Sequence, residues 1–266
     1  AYSLLKKGIL AHLLKEKSTT LAQITNEFHA NEGYLNVALR VLASQGFLKY
    51  EVDNKSESVT ISTLPNSEFA FSLVSIYEDT FQLLTQTSVF TANKMDSESI
   101  TILEPILKKF TENYHIHFEE SEHLRAIQDQ MLTHIEGYLV GPIVVNLGMT
   151  GMFHKYFMES SFRADEFHKH PEAFAKILDF FVHLGWFSKK NDNYQFTEDG
   201  FFFAKRASAY GVTVSYLPMF KHIDSLLFGN ASELRNIAKN EDEIHVNREM
   251  NVWGSGGAHT TYFKVI

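Results

Sequence analysis

The sequence contains no cysteine, only five prolines and only two tryptophans in 266 residues. Without thiols there is no disulfide framework, no thiolate zinc site and no cysteine nucleophile, which suits a reducing, cytoplasmic setting. So few prolines leave long helical stretches uninterrupted, and a mainly α chain is expected. No window approaches the ~18 consecutive apolar residues of a membrane span, and the opening AYSLLKKGIL lacks the parts of a signal peptide, so no membrane partner is expected. Basic residues are also in deficit: 24 Lys and Arg against 32 Asp and Glu give a net charge of -8. What the chain does have is apolar bulk, 44% hydrophobic with 23 Phe and 11 Tyr, enough to bury a core divided into two or three subdomains. It opens on Ala1 and stops inside the apolar TTYFKVI, and so reads as a piece of a longer protein.

An internal repeat organises the chain. EFHANEGYLNVALRVLASQGFL (27–48) lies without a gap on EFHKHPEAFAKILDFFVHLGWF (166–187), at a constant offset of 139. Leu35, Ala38, Leu39 and Leu42 fall on Phe174, Ile177, Leu178 and Phe181, and Gly46 and Phe47 fall on Gly185 and Trp186. Apolar residues three and four apart mark one face of a helix, and each glycine suits a left-handed C-terminal position. Two short alternating strands follow each copy, FLKYEV with ESVTIST and WFSKK with NYQFT. Ahead of the copies stand LLKKGILAHLLKEK and VVNLGMTGMFHKYFM as a further helix each, with Thr19 or Thr20 as an N-cap of LAQITNEF. Three helices and a hairpin make a winged-helix-like unit. The expected organisation is a first unit over 1–65, a helical connector or bundle over 66–137, a second unit over 138–207, and a helical segment and junction over 208–266.

A winged-helix unit raises nucleic-acid binding, but the would-be recognition helix NEGYLNVALRVLASQG carries one Arg and no Lys, where phosphate contacts need clustered cations. HPEAFAKILDFFVHLGW is more apolar still, and both helices read as made for burial against protein. HIHFEESEH (115–123) reads as a helix-end junction rather than a metal site, with Glu119 and Glu120 near a helix N-terminus, and HKH (168–170) as a solvated turn. The glycines of GPIVVNLGMTG (141–151) lack the Lys-Ser/Thr ending of a phosphate loop and read as helix-packing positions. WGSGGAHTTYF (253–263) reads as a glycine-rich loop able to close over a ligand, or else as a hinge, with Ser255, His259 and Tyr262 as hydrogen-bonding side chains.

LAQITNEFHANEGYLNVALRVLASQGFL with its wing resembles the N-terminal winged-helix region of S-adenosylmethionine-dependent small-molecule methyltransferases, which in that family dimerises and helps roof the substrate pocket. YQFTEDGFFFAKR resembles the family's wing-and-helix element, SYLPMFKHIDSLLFGN the helix pair before the catalytic domain, and NVWGSGGAHTTYF the junction into it. The doubling departs from the plant-type O-methyltransferase pattern and is more similar to the helical lid of methyltransferase modules in bacterial polyketide assembly lines. The resemblance implies a lid of a larger enzyme that methylates a small molecule or an acyl group on an acyl carrier protein. Its implied partners are a C-terminal methyltransferase domain, an acyl carrier protein and a second copy of the chain. The strand, glycine-rich loop and acidic residue that open the family's catalytic domain do not occur here, so tight binding of S-adenosylmethionine by this chain alone is not expected. In the junction, Trp253 would give an apolar wall, Ser255, His259 and Tyr262 polar contacts, and His259 the candidate base. The alternative is a non-enzymatic winged-helix protein, a regulator or an interaction scaffold.

Overall fold

The computed structural model describes residues 1–86, 96–232 and 245–263. The chain is mainly helical and divides into two units. Unit 1 takes Ala1–Thr85, His117–Met131 and Phe220–Ile244, and unit 2 takes Gln86–Ile116, Leu132–Met219 and His245–Ile266.

Unit 1 begins with helices α1 (Tyr2–Lys7) and α2 (Ile9–Glu16), which meet at Gly8. Strand β1 (Ser18–Thr20) leads into α3 (Leu21–Phe28), whose first turn is closed reciprocally: Gln23 N donates to Thr20 Oγ1 at 3.2 Å and Thr20 N to Gln23 Oε1 at 2.9 Å. Helix α4 (Glu32–Ser44) follows, then the hairpin β2 (Leu48–Asp53) and β3 (Ser58–Thr63), with strand order β1-β3-β2, all antiparallel. Helix α5 (Ser67–Ser72), a 3-10 turn and α6 (Glu78–Gln86) come next. The core sets Leu10, Ile24, Leu35, Leu39 and Ile61 with Met131 and Leu227 from the later segments.

Unit 2 holds α7 (Ser97–Thr111) and the larger part of α8 (Glu122–Met149), whose first ten residues belong to unit 1. Then come α9 (Lys155–Glu159), α10 (Ala164–Phe167), α11 (Pro171–His183), the hairpin β4 (Phe187–Lys190) and β5 (Asn193–Phe196), α12 (Glu198–Ala204) and α13 (Ala207–Val214). After α14 (Leu217–Phe220), and α15 (Ile223–Phe228) in unit 1, α16 (Arg248–Tyr262) completes unit 2.

The repeat is a structural repeat. Helices α4 and α11 occupy aligned positions, and both end at a glycine with φ 78, Gly46 and Gly185. The bonds that close them correspond: Phe47 N to Leu42 O at 3.0 Å, and Trp186 N to Phe181 O at 2.9 Å. The glutamates that the repeat pairs, Glu27 of α3 and Glu166 of α10, also act alike. Glu27 Oε1 lies 3.0 Å from His12 Nδ1, and Tyr156 donates to Glu166 at 2.9 Å, each tying the helix to the one before it. Where β1 pairs with β3 in unit 1, unit 2 keeps a single bridge between Phe162 and Tyr194. That reduced frame is filled by larger side chains, with Leu35, Leu42 and Leu48 replaced by Phe174, Phe181 and Phe187 at the same repeat positions, all buried.

One helix expected to be continuous is broken. VVNLGMTGMFHKYFM is the end of α8, a turn with Gly151 at φ 96, and the separate α9. A residue at positive φ cannot continue a right-handed helix, and only glycine takes it without strain. Within the expected helical connector, SEFAFSLVSIYEDTFQLLTQTSVF is α5, a 3-10 turn and α6, with 87–90 outside the described residues. Residues 233–244, within the expected helical segment and junction, also lie outside them.

Candidate functional site

The segment expected as a glycine-rich loop is the interior of a helix. Asn247 caps α16 by accepting from Met250 N at 3.1 Å, and the helix runs antiparallel along α13. At one end Asn251 Nδ2 donates to Ser215 Oγ at 2.9 Å and Asn247 N to Ser215 O at 2.7 Å, with Ser215 fully buried. In the middle Gly254 meets Gly211, and at the other end Gly257 meets Ser208. A Cβ on Gly254 would lie 2.6 Å from Val212 N and 2.8 Å from Gly211 Cα, so only two bare backbones fit there. A glycine in a helix interior costs ~1 kcal/mol relative to alanine. The close approach of α13 offsets that cost, which is why glycine spacing that resembles a loop folds as a helix.

The structure places the four junction residues apart in role. Trp253 packs over Gly148 of α8, where a Cβ would come within 2.9 Å of its ring. It is an apolar wall, but one built into unit 2. Ser255 Oγ returns to its own helix, donating to Asn251 O at 2.8 Å. His259 is exposed, with its ring edge-on to Phe263 at 5.5 Å between centroids. The side chain of Tyr262 lies outside the described residues. Ser255 and His259, four apart, share a helix face, whereas Trp253 sits about half a turn from Ser255.

The glycines of GPIVVNLGMTG act as packing positions within α8: Gly141 faces Val214 and Tyr210 of α13, and Gly148 faces Trp253. In HIHFEESEH, His115 pairs with Glu112 at 3.3 Å. Gln128 secures the backbone beside it, donating to His117 O and accepting from Glu119 N, both at 2.9 Å. Among the described residues no group of three or more His, Cys, Asp or Glu is placed to hold a metal. In the HKH turn, His168 stacks on Phe174 with ring centroids 5.0 Å apart.

One cluster has no signature in the sequence, because its members come from three separate helices. Burial raises the Glu136 carboxyl above the ordinary range, with the His183 imidazole opposing the shift. Burial, and then Glu136, raise the Tyr210 hydroxyl in turn.

The helices in the recognition position differ in what covers them. On α4, Tyr34, Val37 and Val41 are exposed in a row, with Arg40 as the one cation of the helix. On α11 the same face lies under α7: Phe110 meets Phe180 edge-on at 5.8 Å, and Lys176 pairs with Glu104 at 3.1 Å. No helix among the described residues is long and apolar enough to cross a membrane.

Residues 1–50 match the family model of the AprA N-terminal domain, and residues 136–230 match that of the AprA winged helix domain. A comparison with curated proteins gives no match. The second family match thus takes in the segment where the repeat and its hairpin place the second winged-helix unit.

Proposed function

We propose that this chain is the lid and protein-interaction region of a larger S-adenosylmethionine-dependent methyltransferase, acting on a small molecule or an acyl group held by an acyl carrier protein in the cytoplasm. The observation that carries the protein-directed part of this reading is the state of the two recognition-position helices. One presents an apolar row and a single arginine, and the other is covered by α7 with its lysine engaged. Neither offers the clustered cations that a nucleic-acid backbone requires. The methyltransferase part rests on the resemblance of both winged-helix copies and of the junction now seen as α16.

The described residues do not fit the cofactor. Both sheets are antiparallel, so no parallel strand feeds a glycine-rich turn, and Gly254 and Gly257 are occupied by α13. Cofactor and chemistry therefore belong to the C-terminal methyltransferase domain of the proposed enzyme. This chain would supply shape, exclusion of water and contacts to the carrier protein or to a second copy. The exposed row on α4 equally favours a non-enzymatic interaction scaffold.

Calorimetry separates the two readings. S-adenosylmethionine and its demethylated product are titrated into this chain and into a longer polypeptide of the same gene that contains it. Binding to the longer polypeptide alone supports the lid. Binding to neither leaves the scaffold, and binding to the isolated chain would contradict the lack of fit.

A further inference from the structure

The two copies share a 13-residue helix in register, α4 and α11, so each position on one has a counterpart on the other. The counterpart of Val41 is Phe180. Val41 is 52% exposed, whereas Phe180, larger and equally apolar, is 2% exposed. The difference is α7, which lays Leu103, Ile106, Leu107 and Phe110 inward as a buried stripe and adds the Glu104 carboxylate to Lys176. The counterpart of Lys176 is Val37, 57% exposed, and one turn along the same face from it stands Arg40. Among the described residues Arg40 has no ion pair. Val37, Arg40, Val41, Ala43 and Ser44 of α4, with Tyr50 of β2, line a groove of about 490 Å³.

We infer that this face of α4 is a docking site for an amphipathic helix of another polypeptide, chemically like α7: apolar residues three and four apart, with a carboxylate at the edge of the stripe to meet Arg40. Three apolar side chains in a row on a helix whose opposite face, with Leu35, Leu39 and Leu42, is already buried in the core form a second seam, and the second unit shows in the same protein what such a seam accepts. The carboxylate requirement comes from charge. A cation at the rim of an apolar groove selects an opposite charge more than it adds affinity. The inference stands independently of the methyltransferase reading, since it rests on the repeat alone.

The test uses the whole chain and a fluorescent peptide of sequence 97–111, held helical by a lactam bridge on its solvent face, with fluorescence anisotropy as the readout. Saturable binding is expected, weakened about tenfold or more by Val41→Asp and also by Val37→Asp. Both positions are exposed, so thermal melts of the variants should overlay that of the parent. A peptide carrying Glu104→Lys should bind the parent more weakly and should regain affinity for the Arg40→Glu variant. Equal binding to the parent and both aspartate variants would overturn the inference, as would no binding at millimolar peptide. So would sedimentation showing that a second copy already occupies this face and is released by Val41→Asp.

Discussion

Adding one methyl group at Gly254 tests the helix in place of the expected loop. In an open helix interior, Gly→Ala stabilises by ~1 kcal/mol through backbone entropy. At Gly254 the new Cβ would meet Val212 N at 2.6 Å and Gly211 C at 2.8 Å, both backbone atoms that cannot swing away. Helix α16 would have to retreat from α13 by about 1 Å to restore ordinary contact. That movement strains the 2.7 and 2.9 Å hydrogen bonds at buried Ser215. Overpacking of this kind costs ~1–3 kcal/mol, and each weakened buried bond adds ~1 kcal/mol. Set against the propensity gain, Gly254→Ala should destabilise unit 2 by ~2 kcal/mol. Gly256→Ala is the control: it lies two residues away in the same helix, with nothing within 4 Å of its Cβ position, and should stabilise by ~0.5–1 kcal/mol. Urea unfolding followed by circular dichroism measures both. If the two variants shift stability in the same direction and by similar amounts, α16 is not packed on α13 and the argument fails.

Three further outcomes follow from the same contacts. Ser67 Oγ donates to Phe47 O at 2.7 Å and accepts from Leu64 N at 2.7 Å, and Thr197 Oγ1 donates to Gly185 O at 2.7 Å and accepts from Gly200 N at 3.1 Å. Ser67→Ala and Thr197→Ala should each cost ~1–2 kcal/mol in denaturant melts, as the helix after each wing loses its anchor. Gly46→Ala and Gly185→Ala should each cost ~1–2 kcal/mol, and by nearly equal amounts, since both glycines hold φ 78; a large difference would break the equivalence of the two copies. Burial holds the Glu136 carboxyl above its ordinary value, so ionising it works against folding, and stability present at low pH is lost as pH rises through the folded value. Glu136→Gln should therefore raise the melting temperature at neutral pH, by an amount worth ~0.5 kcal/mol after allowing for its partial exposure, and the gain should fade on acidification. A gain independent of pH would point to packing rather than charge.

The sequence by itself determined the repeat, the hairpins and the shortage of basic residues. These reside in short-range pattern: apolar spacing of three and four, a glycine closing each helix, alternation in each wing, and a count of lysines and arginines. Such signals survive substitution of Leu by Phe, which is why a low-identity repeat predicted two units whose glycines share one φ. The tertiary structure alone decided the state of 253–263. A run with three glycines has weak helix propensity, and only Gly211 and Ser208, more than forty residues earlier, make Gly254 and Gly257 an asset by needing the space a side chain would fill. It also decided which recognition-position helix is covered. Nothing within α4 or α11 says that α7 lies on one and leaves the other bare, because a helix's own periodicity shows that it has an apolar face and not what buries it.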